Sequence, residues 1–138
     1  MRRIYTIIGI LVVIAGVVAL VVMFTPLLRG SSEPATQKIT DQKKIGALAL
    51  AFVAPPYADQ YQALRVSGYV DNLSTTQTLV RTSVEINLYD RDGNRKEVVK
   101  QTLKDIPPRQ RKSYDVSAGT FKDARDARIK VVSVEVEK

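Results

Sequence analysis

The chain contains no cysteine and no histidine. Without cysteine there are no disulfides, thiolate metal sites or thiol nucleophiles. Without histidine there is no Ser-His-Asp triad and no imidazole-ligated metal. The compartment stays open, because exported and cytosolic chains can both lack cysteine. Catalysis would have to rest on carboxylates, lysine, tyrosine or hydroxyls, which makes an enzyme a poor expectation. Charge is missing from one long stretch as well. Ile4 to Phe24 has none, and only Tyr5 and Thr6 there are polar. With 138 residues in all, one domain fits beside such a segment.

Extended to Thr25, this run as a helix measures roughly 33 Å, enough to cross a hydrocarbon core. A core helix would show polar positions at helical spacing, and none occur. A cleavable signal peptide has a shorter apolar stretch ending in small residues, whereas this one runs into Val-Val-Met-Phe-Thr-Pro-Leu-Leu-Arg. The sequence therefore predicts a retained transmembrane anchor over 1–28. Gly9 and Gly16 share a helix face, with Ala15 and Ala19 close to that stripe, so other spans can approach closely. Gly and Ala are common in spanning helices in any case. Arg2 and Arg3 precede the run and only Arg29 directly follows it. This places the N-terminus in the cytoplasm and the C-terminal domain in the periplasm or outside the cell, on the inner (cell) membrane. Lys38, Lys43 and Lys44 pull the other way.

Residues 29–44, RGSSEPATQKITDQKK, are small, polar and without apolar periodicity, and read as a linker. The domain is expected over 45–138. Ala47 to Phe52 alternates large and small apolar residues, which fits either a buried strand or a short helix, and Pro55-Pro56 ends it. From Tyr61 the pattern is a strand code. Leu64, Val66, Gly68 and Val70 alternate with Ala63, Arg65, Ser67 and Tyr69. In the next strand Val80, Val84, Ile86 and Leu88 point one way, and Arg81, Ser83, Glu85 and Asn87 the other. Val98 to Leu103, Arg109 to Val116, and a last strand with Val132, Val134 and Val136 on one face complete five strands, with a sixth candidate at 47–53. No helix-length crossovers separate them. The fold class is a single transmembrane α-helix followed by an all-β antiparallel sandwich of immunoglobulin-like or FxLYD-like type.

Asp90-Arg91-Asp92-Gly93-Asn94 looks most like chemistry, with three oxygen-bearing side chains at alternate positions. A calcium loop needs glycine at its sixth position and a bidentate glutamate at its twelfth, and counting from Asp90 these are Arg95 and Gln101. A catalytic carboxylate pair needs a cleft that separates the two pKa values, which a hairpin tip among arginines does not supply. Asp-Gly instead provides the left-handed conformation of a tight turn. No metal, cofactor or catalytic residue is expected.

The same residues carry a family resemblance. Ile86-Asn87-Leu88-Tyr89-Asp90 resembles the motif that names the FxLYD domains, with Ile86 in place of Phe. Val66-Ser67-Gly68-Tyr69-Val70-Asp71-Asn72 is similar to the V-x-G-x-V-x-N strand and turn that precede the motif there. Asp92-Gly93-Asn94 and Ile106-Pro107-Pro108 fall where those domains have a D-x-G turn and an L/I-x-P. The resemblance covers about residues 61 to 116. Membrane-tethered sandwiches of the late-embryogenesis-abundant type share much of the pattern. It implies an antiparallel β-sandwich outside the membrane without known catalysis, and it implies no ligand.

Arg109, Arg111 and Lys112 cluster after the double proline as candidate contacts for a partner or anionic headgroups. A charged strand that resists edge-to-edge pairing gives the same pattern. Tyr69 and Tyr89 fall on the polar faces of their strands and are candidates for an exposed cross-strand patch. The net charge of +7 divides into +3 from Arg2, Arg3 and Arg29 and +4 spread over the remainder, too diffuse for nucleic acid. Together these features predict a non-enzymatic, single-pass accessory subunit that packs against and stabilises a larger membrane complex, respiratory or photosynthetic. Its partners would be other membrane subunits and the bilayer. The alternative is a stand-alone envelope-anchored module that binds a soluble ligand or cell-wall component.

Overall fold

A computed structural model describes residues 35–119 and 123–138. The expected anchor over 1–28, with Gly9, Ala15, Gly16 and Ala19, lies outside the described residues. Among those described, no helix is long and apolar enough to cross a membrane.

Among the described residues, eight strands and one short helix follow in order: β1 (Thr36–Ile39), α1 (Gln42–Leu48), β2 (Ala49–Val53), β3 (Tyr57–Ala58), β4 (Leu64–Asn72), β5 (Leu79–Tyr89), β6 (Arg95–Ile106), β7 (Arg111–Ser117) and β8 (Asp126–Glu137). All pairings are antiparallel. One sheet runs β1-β8-β5-β6. In the other, β4 is central, with β7 on one side and β2 then β3 along the opposite side. Apolar side chains at every second position of β4, β5 and β8 meet between the sheets. Val66, Val70, Ile86, Leu88 and Val134 are all fully buried there. Each contributes about 1.5–3 kcal/mol by leaving water. The expected β-sandwich is present.

Two features depart from the expected pattern. The segment read as a linker contains β1, which pairs with the end of β8, and the start of α1. Asp41 caps that helix by accepting from the Lys44 amide at 2.9 Å, and Ile45 buries against the core. Two turns of helix are not stable alone, so packing of Ile45 holds it. The second departure concerns side-chain facing. Val80 was expected inward with Val84, Ile86 and Leu88. A bulge between Leu79 and Arg81 instead buries Leu79 completely and leaves Val80 half-buried. A second register shift opposite Ser83/Val84 turns Val132 out and buries Ser133. One extra residue in a strand inverts the alternation beyond it.

Candidate interaction surface

The Asp90–Asn94 turn is closed by its own first side chain. Asp90 Oδ1 accepts from the amides of Asp92 and Asn94, both at 2.9 Å, and Oδ2 pairs with Lys96 Nζ at 3.2 Å. The Asp90 amide donates to the Asn94 carbonyl, and the Gly93 amide, at φ +81, donates back to the Asp90 carbonyl. The Asn94 amide, with help from Lys96 and the Asp92 amide, holds the Asp90 carboxyl below its ordinary range. Both of its oxygens are therefore occupied by hydrogens.

A second loop repeats this wiring. Asp59 Oδ1 accepts from the amides of Tyr61 and Ala63. The Asp59 amide donates to Ala63, the Gln62 amide donates to Asp59, and Gln62 takes the left-handed φ of 61. Asp59-Gln60-Tyr61-Gln62-Ala63 has no ligand pattern at all. The shared geometry is that of an Asx-capped five-residue turn. Among the described residues no group of three or more His, Cys, Asp or Glu side chains is placed to hold a metal.

The motif residues are accounted for by folding demands. A Cβ on Gly68 would run into the Phe52 carbonyl and the Tyr114 hydroxyl, with Tyr114 Cζ only 2.7 Å away. Tyr114 itself donates to the Phe52 carbonyl at 3.0 Å, and burial pushes its pKa up to about 12. Asn72 is 2% exposed. Its amide group donates to the carbonyls of Gln77 and Ile106 at 2.8 and 2.9 Å, and its Oδ1 accepts from Ser74 at 2.9 Å.

The outer face of the β4 sheet carries the most organised surface chemistry. Phe52 and Tyr69 are direct cross-strand partners with stacked rings, 5.1 Å between centroids. Arg111, directly across from Asp71, grips that carboxylate with two hydrogen bonds of 2.6 and 2.9 Å. Its guanidinium also lies 3.6 Å over the Tyr69 ring. The Arg111 fork holds Asp71 below the ordinary carboxylate range and is itself raised. Nearby, Asp115 accepts from the Tyr57 hydroxyl and from Arg65 Nε, and both depress its pKa, the tyrosine more. Leu50 is exposed beside these groups.

The sequence-stated candidates are thus only partly united. Tyr69 and Arg111 touch. Tyr89 lies on the other sheet, at the end of β5 under Arg128, with 4.5 Å from Cζ to the ring, so the expected patch of Tyr69 with Tyr89 does not form. Lys112 extends from β7 to the Lys104 carbonyl of β6. Arg109 sits in the turn between those strands at φ 57, its amide donating to Ser74. Sequence reasoning missed Leu50, Phe52, Arg65, Asp71 and Asp115. The alternation of Ala49 to Val53 sets Leu50 beside Phe52, but only the β2–β4 register places Phe52 against Tyr69.

No protein-family model matches the chain, and no curated protein resembles it in sequence. Among solved structures, a DUF1425 family member from Shewanella sp. pv-4 aligns with a TM-score of 0.44 and 18% identity, over 59% of this chain and 75% of that one. The enzymatically active domain of tailspike protein 4 from bacteriophage CBA120 aligns with a TM-score of 0.25 and 10% identity, over 77% of this chain but only 18% of that one.

Proposed function

We propose that the chain is a single-pass, membrane-anchored binding module of FxLYD-like type. In this reading it serves as an accessory subunit of a larger membrane complex and performs no catalysis. The observation that carries the reading is the uncharged run from Ile4 to Phe24, long enough to span a bilayer and continuous with polar sequence on both sides. Supporting it, the space between the sheets is filled by aliphatic side chains. Asp71 and Asp115, both held below the ordinary carboxylate range, pair with Arg111 and Arg65 on the outer face of the β4 sheet. The likeness to FxLYD domains rests on the sequence motifs that contain Gly68, Asn72 and Asp90.

Membranes containing the full chain, washed with alkaline carbonate and then extracted in mild detergent, test both halves. Retention through the wash and co-migration with a large complex at fixed stoichiometry are expected. Release by carbonate overturns the anchor. A lone monomer in mild detergent overturns the subunit role and favours a stand-alone envelope module.

A further inference from the structure

We infer that the free edge of β6 is a docking site for an extended acidic segment of a partner protein, which adds a strand to the β1-β8-β5-β6 sheet. The first observation is where the charge lies. Residues 95–117 hold seven lysines and arginines against three acidic residues, while the other described residues hold ten of each. The whole basic excess of the described domain therefore sits on β6, the turn after it and β7. Each of these strands is the outermost of its sheet, and Lys112 of β7 reaches the Lys104 carbonyl of β6. Asp71 balances Arg111 and Asp90 balances Lys96, which leaves Arg95, Lys100, Lys104, Arg109 and Lys112 as the positive charge along this side. With the Lys104 carbonyl taken by Lys112, the open part of the β6 edge runs from Lys104 back toward Arg95.

The second observation is the facing of β6. Val98, Lys100, Thr102 and Lys104 are exposed on the outer face, while Glu97, Val99 and Gln101 are turned inward and half-buried and Leu103 is buried. Among the described residues Arg95, Lys100 and Lys104 make no ion pair. An edge with this charge repels a second copy of itself, the usual protection of an exposed strand. The same charge favours a strand of opposite sign.

The sheet already contains the arrangement that such a partner would repeat. On one side of β5, Arg81 pairs across to Glu135 of β8, which belongs to the acidic-apolar run Val134-Glu135-Val136-Glu137. On the other side, Arg81 stands opposite Lys104 of β6. A strand beyond β6 with acidic residues on the outer face would put carboxylates beside Lys100 and Lys104, as Glu135 meets Arg81. Its alternate apolar side chains would cover Val99. The partner is recognised as an extended segment, acidic on one face and apolar on the other.

This inference rests on the chain being a binding module and not on its anchor. It is tested on the full chain in neutral-detergent micelles, with a labelled peptide of about ten residues alternating Glu and Val, a length that spans an ordinary strand. The peptide is expected to bind, to weaken with salt, and to slow amide exchange across Val98–Lys104. The same peptide with its backbone amides methylated is expected to bind at least ~10-fold more weakly, because it keeps charge but cannot pair. Lys100→Glu with Lys104→Glu should lose this peptide and gain the Lys/Val counterpart, an exchange that an unfolded variant cannot make. No binding to the wild type overturns the proposal, as does equal affinity for the methylated peptide or unchanged exchange in β6. Protection of β6 by anionic-lipid nanodiscs and not by the peptide would assign the edge to the bilayer surface and overturn it too. If these fail while co-migration with a complex holds, the edge alone is wrong. If co-migration fails, the subunit reading is wrong.

Discussion

Replacing Asn72 tests how the motif residues act. Its side chain ties the β4–β5 loop, at Ser74 and Gln77, to the end of β6 at Ile106. Asn72→Ala removes three hydrogen bonds at a site 2% exposed. At about 1 kcal/mol each, and more where a buried group is left without a partner, the expected loss is about 3–4 kcal/mol. That is a large share of the 5–15 kcal/mol typical of a domain. Asn72→Asp keeps the shape but changes the chemistry, because an ionised carboxylate facing two carbonyls has no hydrogen to donate. Its pKa in the fold must lie above the unfolded value of about 3.9. The folded state then holds the proton over a range where the unfolded state has lost it. Stability is greatest below about pH 3.9 and falls as pH rises through the folded value. Denaturant unfolding of the full chain in neutral micelles, followed by circular dichroism across pH, measures both variants. A cost below about 1 kcal/mol for Asn72→Ala, or a pH dependence of Asn72→Asp equal to that of the wild type, would refute this role for Asn72.

Thr82 is completely buried and its Oγ1 has no hydrogen-bond partner. Thr82→Val should raise the denaturation midpoint by an amount equal to about 1 kcal/mol or more. The two Asx-capped turns give opposite results at their left-handed residue. Gly93→Ala should destabilise by about 1 kcal/mol and Gln62→Gly should stabilise by about 0.5–1 kcal/mol, read by thermal melting. Burial raises Tyr114 from 10.0 to about 12, so its contribution is intact below pH 10 and is lost as pH climbs through about 12. Ultraviolet titration of the tyrosines should show a late step that Tyr114→Phe removes.

The strands were legible where the side-chain period of two ran unbroken. Leu64, Val66 and Val70 were correctly placed inward, as were Val84, Ile86 and Leu88. The alternation failed at Val80 and Val132 because a bulge adds a residue without marking its composition. Bulges are set by the register of two strands, and a single strand does not contain that register. The polar Thr36–Ile39 was not legible at all. It is held by backbone bonding to the end of β8 and by the Lys138 amide donating to Ala35, so it needs no apolar pattern of its own. Asp41 and the capping bond to Lys44 were the signal that the linker reading overlooked.

The surface was less legible for a related reason. Arg111 and Lys112 were picked out together because they are adjacent, yet adjacency in a strand sends them to opposite faces. Arg111 is locked over Tyr69 and onto Asp71, while Lys112 reaches across to β6. Lys100 and Lys104, which make no ion pair among the described residues, stand on a different strand. Neither was singled out, Lys104 lying just beyond the expected strand from Val98 to Leu103. Topology gives them meaning by making β6 and β7 the outer strands on one side of the sandwich. A net charge spread along the sequence thereby becomes a one-sided charge in space. The conspicuous motif residues close turns and fill gaps, whereas in the proposed docking mode the capacity to select a partner lies with plain lysines on an outer strand. On that proposal, substitutions in β6 change partner choice while Gly68, Asn72 and Asp90 hold the same scaffold.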